Sequence, residues 1–189
     1  MAVAEATTDS FGEIELAELV YSTNLSLSGP WLLDDAALTH LGDVLEPEWN
    51  RLCARWEETV DEEVRCLVSM YQQYHEGQQP DDEILGSFQV RAKAGAGPKD
   101  LRIVLRLRGG HSLVVKSFRD ALRSPELVDQ TPLGLTVDMH CVEVRASLAV
   151  GKYKHSDELE LTTSPESSPL ARELFVILRN WAVAHQAPW

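Results

Sequence analysis

Between residues 88 and 116 apolar and cationic side chains alternate almost one for one. Phe88, Val90, Ala92 and Ala94 are separated by Gln89, Arg91 and Lys93. After the flexible stretch AGAGPKD, Leu101, Ile103, Leu105 and Leu107 are separated by Arg102, Val104, Arg106 and Arg108. Successive side chains of a strand point to opposite faces, so a period of two predicts half-buried antiparallel strands sharing one apolar side. Further strands are expected between Leu133 and Val150 and at Glu158–Thr162, with a short one within Tyr21–Gly29.

The period changes on either side of this region. Asp34 or Asp35 can cap a helix carrying Leu38, Leu41, Val44 and Leu45, and Pro47 fits the first turn of a second helix. From there Trp49, Cys53, Trp56, Val60, Val64, Leu67, Tyr71 and Tyr74 recur at steps of three or four, the stripe of a helix over residues 48–75. Gly77 and Pro80 end it. Ser117, with Asp120 three residues on, caps a short helix that Ser124-Pro125 stops. At the far end Ser168 and Pro169 open a helix with Leu170, Leu174, Ile177, Leu178 and Trp181 on one side, suited to packing on a sheet. The expected fold is α+β: a mainly antiparallel β-sheet of about five or six strands, covered by the C-terminal helix, with an N-terminal helical hairpin or arm. The expected divisions are an N-terminal segment over 1–30, loose over its first twelve residues, a helical hairpin or arm over 31–80, and the sheet with its helix over 81–189. All three together also fit a single domain.

Seven residues, VLRLRGG (Val104–Gly110), resemble the tail of ubiquitin. A conjugation tail must be flexible and must end at its second glycine, whereas here a strand-like HSLVVKS follows. The same letters make a hairpin. A three-residue loop, Gly109-Gly110-His111, pairs Leu107 with Leu113 and Leu105 with Val115, which keeps one face apolar.

Charge is unevenly spread. The net charge is −13, yet residues 1–87 hold 19 acidic and 3 basic side chains, and residues 88–123 hold 9 basic and 2 acidic. An acidic chain repels nucleic acid unless its cations are gathered in one place. No aromatic residues interleave the arginines, so base stacking has no platform. Three cysteines, Cys53, Cys66 and Cys141, form no disulfide framework. The N-terminus lacks a basic leader, and no apolar run approaches a membrane span. These features point to a cytoplasmic location with no membrane span.

Four groups of residues are candidates for function. Arg91, Lys93, Arg102, Arg106 and Arg108 share one strand parity and would form a basic comb for a protein partner or a small anionic ligand. The apolar phase flips at His140-Cys141, which calls for either a two-residue turn or a β-bulge there; in the turn version Asp138 faces Glu143, and Asp138, His140 and Glu143 could converge as a metal-dependent hydrolase or nuclease site. Trp49, Trp56 and Tyr71 are a heavy aromatic investment for one stripe and suggest an interface, or a homodimer. Trp189, the last residue, is a further interface candidate. No Walker loop, Rossmann fingerprint, H-E-x-x-H, CxxC or G-x-S-x-G motif is present. The sequence therefore favours a non-catalytic protein-interaction or regulatory domain, acting on a protein partner or by self-association and requiring no cofactor.

Overall fold

The computed structural model describes residues 22–186 except 30, 32, 128, 129, 143, 154 and 155. The expected loose start therefore lies outside the described residues, as do Glu143 and Trp189. Within them the chain forms six strands and four α-helices. In order these are β1 (Thr23–Ser28), α1 (Asp35–Tyr74), α2 (Asp82–Gly95), β2 (Lys99–Arg106), β3 (Ser112–Val115), α3 (Phe118–Leu122), β4 (Gly134–Cys141), β5 (Val144–Tyr153), β6 (Ser156–Ser164) and α4 (Pro169–His185).

The strands build one antiparallel sheet in the order β1-β6-β5-β4-β2-β3. Alternation determines its faces. Ile103, Val137, Leu148 and Leu161 are register partners across four strands, and so are Leu105, Leu135, Val150 and Leu159. All eight are buried. On these rows lie Ala171, Leu174, Leu178 and Trp181 of α4 and Ala37, Leu38, Leu41, Leu45 and Leu52 of α1, in the same apolar cluster. The Trp181 indole N–H donates to the Ala37 carbonyl at 3.1 Å, so the largest core side chain also has its polar atom satisfied. Ser168 caps α4 from the expected position, with Pro169 in its first turn. Among the described residues no helix covers the opposite face of the sheet, which is mainly polar.

Three local expectations change. Residues 82–95 are helical, not a strand. Asp81 accepts the Ile84 N–H at 2.9 Å, and Asp82 and Glu83 favour the positive end of the helix. Ala92 is buried and Phe88 half-buried, while Val90, assigned by the alternation to the core side, is 71% exposed. The hairpin partner of α1 is thus α2, not a short helix before Pro47. Secondly, α1 runs unbroken through Pro47. A proline inside a helix loses one hydrogen bond and costs about 3 kcal/mol. Leu41 and Leu45 before it and Leu52 after it are all buried in one core, and each such burial contributes about 1.5–3 kcal/mol. Packing on both sides outweighs the break.

The third change is one of turn position. In the β2–β3 hairpin Leu105 faces Leu113 and Arg106 faces Ser112. The Leu107 N–H donates to the His111 carbonyl at 2.9 Å, so the loop is Arg108-Gly109-Gly110, one residue earlier than expected. Gly109 and Gly110 both sit near φ +80°, a region that glycine enters without penalty. The displacement preserves parity, so the apolar face survives. In β4–β5 Cys141 faces Val144 and Asp138 faces Ser147, so the strand pairing runs through 140–141 with neither a turn nor a bulge there. Cys141 is fully buried and prolongs the apolar phase by one more residue.

Candidate functional site

The cations of the proposed comb do not share a face. Arg91 and Lys93 are exposed on α2, whereas Arg102 and Arg106 belong to the open face of β2 and Arg108 to the hairpin loop. Arg106 lies flat across β4 and β5, over the cross-strand neighbours Gly134 and Gly151. A Cβ on either glycine would meet its guanidinium. The two glycines therefore make a shallow trough that holds the arginine along the sheet.

Asp138 and His140 share the open face, two residues apart on β4. Asp138 accepts a hydrogen bond from the Ser147 hydroxyl at 2.7 Å. His140 faces Arg145, whose Nε donates to its Nε2 at 3.1 Å. Burial and the Arg145 charge both hold the imidazole below its ordinary pKa, against a smaller opposite pull from Asp100. A neutral ring accepting from a guanidinium is the chemistry this geometry favours. The register that would set Asp138 opposite Glu143 does not form, because Ser147 occupies that position. Among the described residues no three His, Cys, Asp or Glu side chains are placed to hold a metal ion.

The aromatic stripe of α1 divides into two parts. Trp49 and Trp56 are half-buried against the main core. The Trp56 indole donates to the Gly97 carbonyl at 3.0 Å, and Lys99 sits 5.0 Å above its ring centre while pairing with Glu57 at 2.9 Å. Beyond Val60 the stripe faces α2: Tyr71 stacks on His75 at 4.1 Å and meets Phe88 edge-on at 6.2 Å. Val60, Leu67 and Ala92 are buried in this seam, and none belongs to the main core cluster. Met70, Tyr74 and Val90 stay exposed on the same pair of helices. Glu57, Glu58, Asp61, Glu62 and Glu63 are all exposed along α1.

One association had no signal in the sequence, since its members are far apart along the chain. Cys141 donates its thiol hydrogen to the Leu52 carbonyl at 3.4 Å, and the Cys53 thiol is near enough to influence its titration. Burial pushes Cys141 up to about 11, and burial also raises Cys53 against the opposing pull of Lys99. Both sulfurs are therefore protonated at neutral pH and poor nucleophiles. They join the base of the helical arm to the end of β4.

The chain matches no family model, no curated protein and no solved structure. No helix among the described residues is long and apolar enough to cross a membrane.

Proposed function

We propose that the chain is a non-catalytic protein-interaction domain that docks through the arm formed by α2 and the outer half of α1. The observation that carries this reading is the arm's thin seam. A 14-residue helix and the half-helix it faces bury Val60, Leu67 and Ala92, yet leave Met70 at 48%, Val90 at 71% and Tyr74 at 80% exposure. A partner that covered these side chains would supply the apolar contact that the seam lacks. The exposed acidic run from Glu57 to Glu63 calls for a basic partner surface. This chain carries one itself, in Arg102, Arg106 and Arg108 on and beside β2. A second copy is thus a partner of matching chemistry, and self-association is the form of docking we favour.

Sedimentation velocity at about 0.05 M and about 0.5 M salt tests this, because screening shortens the reach of exposed charges from about 14 Å to about 4 Å. The expected result is an assembly larger than one chain that loosens at high salt and is lost in Tyr74→Ser with Met70→Ser. A monomer at both salt concentrations, with or without these changes, would contradict self-docking.

A further inference from the structure

At the base of α1, away from the arm, a cavity of about 260 Å³ opens between that helix, β2, β4 and α3. Its floor is apolar: Leu101, Phe118 and Met139 are buried core residues, and the half-buried Trp49 indole forms part of the wall. Its rim is charged. Lys116 and Arg119 stand on the α3 side and Glu46 on the α1 side. Neither cation makes an ion pair among the described residues, and Glu46 makes none either. Two neutral polar side chains line the cavity beside them: Asn50 on α1, and Ser117, whose hydroxyl is engaged as the cap of α3, accepting the Asp120 N–H at 3.1 Å.

From this combination we infer that the cavity is a binding site for a small monocarboxylate with a compact apolar body. An apolar floor with a few convergent polar groups is the general make-up of a small-molecule site. The volume lies just below the usual range of about 300–1,000 Å³, which fits a single ring or a branched chain and excludes a nucleotide. The two cations, offset by Glu46, leave one net positive charge at the rim. That balance matches a monoanion and disfavours a doubly charged phosphate, whose second charge would face Glu46 uncompensated. The ring or chain rests on Trp49 and Phe118, and the carboxylate takes hydrogen bonds from Lys116 and Arg119. A free aromatic or branched acid and an amino acid share this chemistry, and they differ in whether an ammonium group faces Glu46.

The test is a nitrogen-edited NMR titration of the full chain with phenylacetate, phenylacetamide and L-phenylalanine. The expected result is a saturable shift of the Trp49 indole N–H and of the Ser117–Arg119 amides. Phenylacetate should bind at least about tenfold more tightly than its neutral amide, the usual worth of a charge-assisted hydrogen bond. Tighter binding of L-phenylalanine than of phenylacetate assigns the amino acid, and the reverse assigns the free acid. Lys116→Gln with Arg119→Gln alters two exposed side chains and should leave the fold intact while removing the preference for the acid. The inference is overturned if neither acid gives saturable shifts at this site, if phenylacetamide binds as tightly as phenylacetate, or if the double variant keeps full affinity.

Discussion

The sheet core and the helical arm are built from similar residues but held in different ways. In the core, side chains from four strands meet in register and are capped by two helices, so Leu148 and Leu161 are fully enclosed. In the arm, one helix leans on another with no further element packed behind either among the described residues, and Tyr74 stands mostly in water. A side chain enclosed on all sides contributes both transfer and packing energy, whereas a two-helix seam supplies part of each. Global stability is therefore expected to reside in the sheet and its two helices, and local opening in the arm.

The sharpest contrast comes from truncating one leucine in each region. Leu148→Ala should cost about 3–4 kcal/mol, because the surrounding rows cannot collapse into the void. Leu67→Ala should cost about 2 kcal/mol or less, and should detach the arm before the sheet unfolds. Urea unfolding followed by Trp181 fluorescence and by helical circular dichroism separates the two. Coincident curves in Leu67→Ala would break the contrast. Next in size is Gly134→Ala. Its Cβ would meet the Val150 carbonyl oxygen at 2.9 Å as well as the Arg106 side chain, and the first of these is backbone that cannot step aside. A loss of about 1–3 kcal/mol is expected in thermal unfolding. Gly151→Ala should also lift Arg106 from its trough.

The junction between the two regions should matter less. Lys99 pairs with a largely exposed Glu57 and lies over Trp56, so Lys99→Ala should cost about 1 kcal/mol or less, and less again at high salt. A larger loss, measured by urea unfolding, would mean that the arm is tied down more firmly than its seam implies. The smallest effect is one of pH. Burial, and next the charge of His40, depress the His185 pKa, and the two rings touch through a 2.8 Å hydrogen bond between α1 and α4. The unfolded chain then takes up this proton at a higher pH than the folded one. The associated stability is present above the ordinary imidazole value of about 6.5 and is lost as pH falls through the folded value. His140 acts in the same direction. The melting temperature should fall between about pH 7.5 and 5.5, and His185→Gln should flatten that slope.

Much of the core was legible because its pattern is local. The alternation at Leu101–Leu107 and at Leu135–Met139 assigns a face without knowledge of the partner strand, although Leu133, which continues the same pattern, lies before β4 and is exposed, and Ser117, Ser168 and Pro169 mark helix starts by their own chemistry. The arm was less legible. Residues 88–94 satisfy a period of two, while Leu85, Phe88 and Ala92 also have helical spacing, and what decides between them is the presence of α1 alongside. Pro47 ends a helix in isolation, and only the burial of Leu45 and Leu52 overrides it. The phase change after Met139 left a turn and a bulge at His140-Cys141 both open because Cys141 counted as polar, although a protonated thiol behaves as a small apolar group and Cys141 continues the strand to its pairing with Val144. That continuation also removed the opposition of Asp138 and Glu143. The proximity of Cys53 to Cys141, and of Lys116 to Trp49, arises from tertiary packing and leaves no trace in spacing.

Hydrogen exchange of the backbone amides is the most direct test of the division between a closed sheet and a lightly held arm. Amides of β4 and β5 should open only with global unfolding. Those of α2 and of α1 beyond Val60 should exchange far sooner, and should slow when the protein is concentrated enough to self-associate. Equal protection of the arm and the central strands, unchanged by concentration, would contradict it.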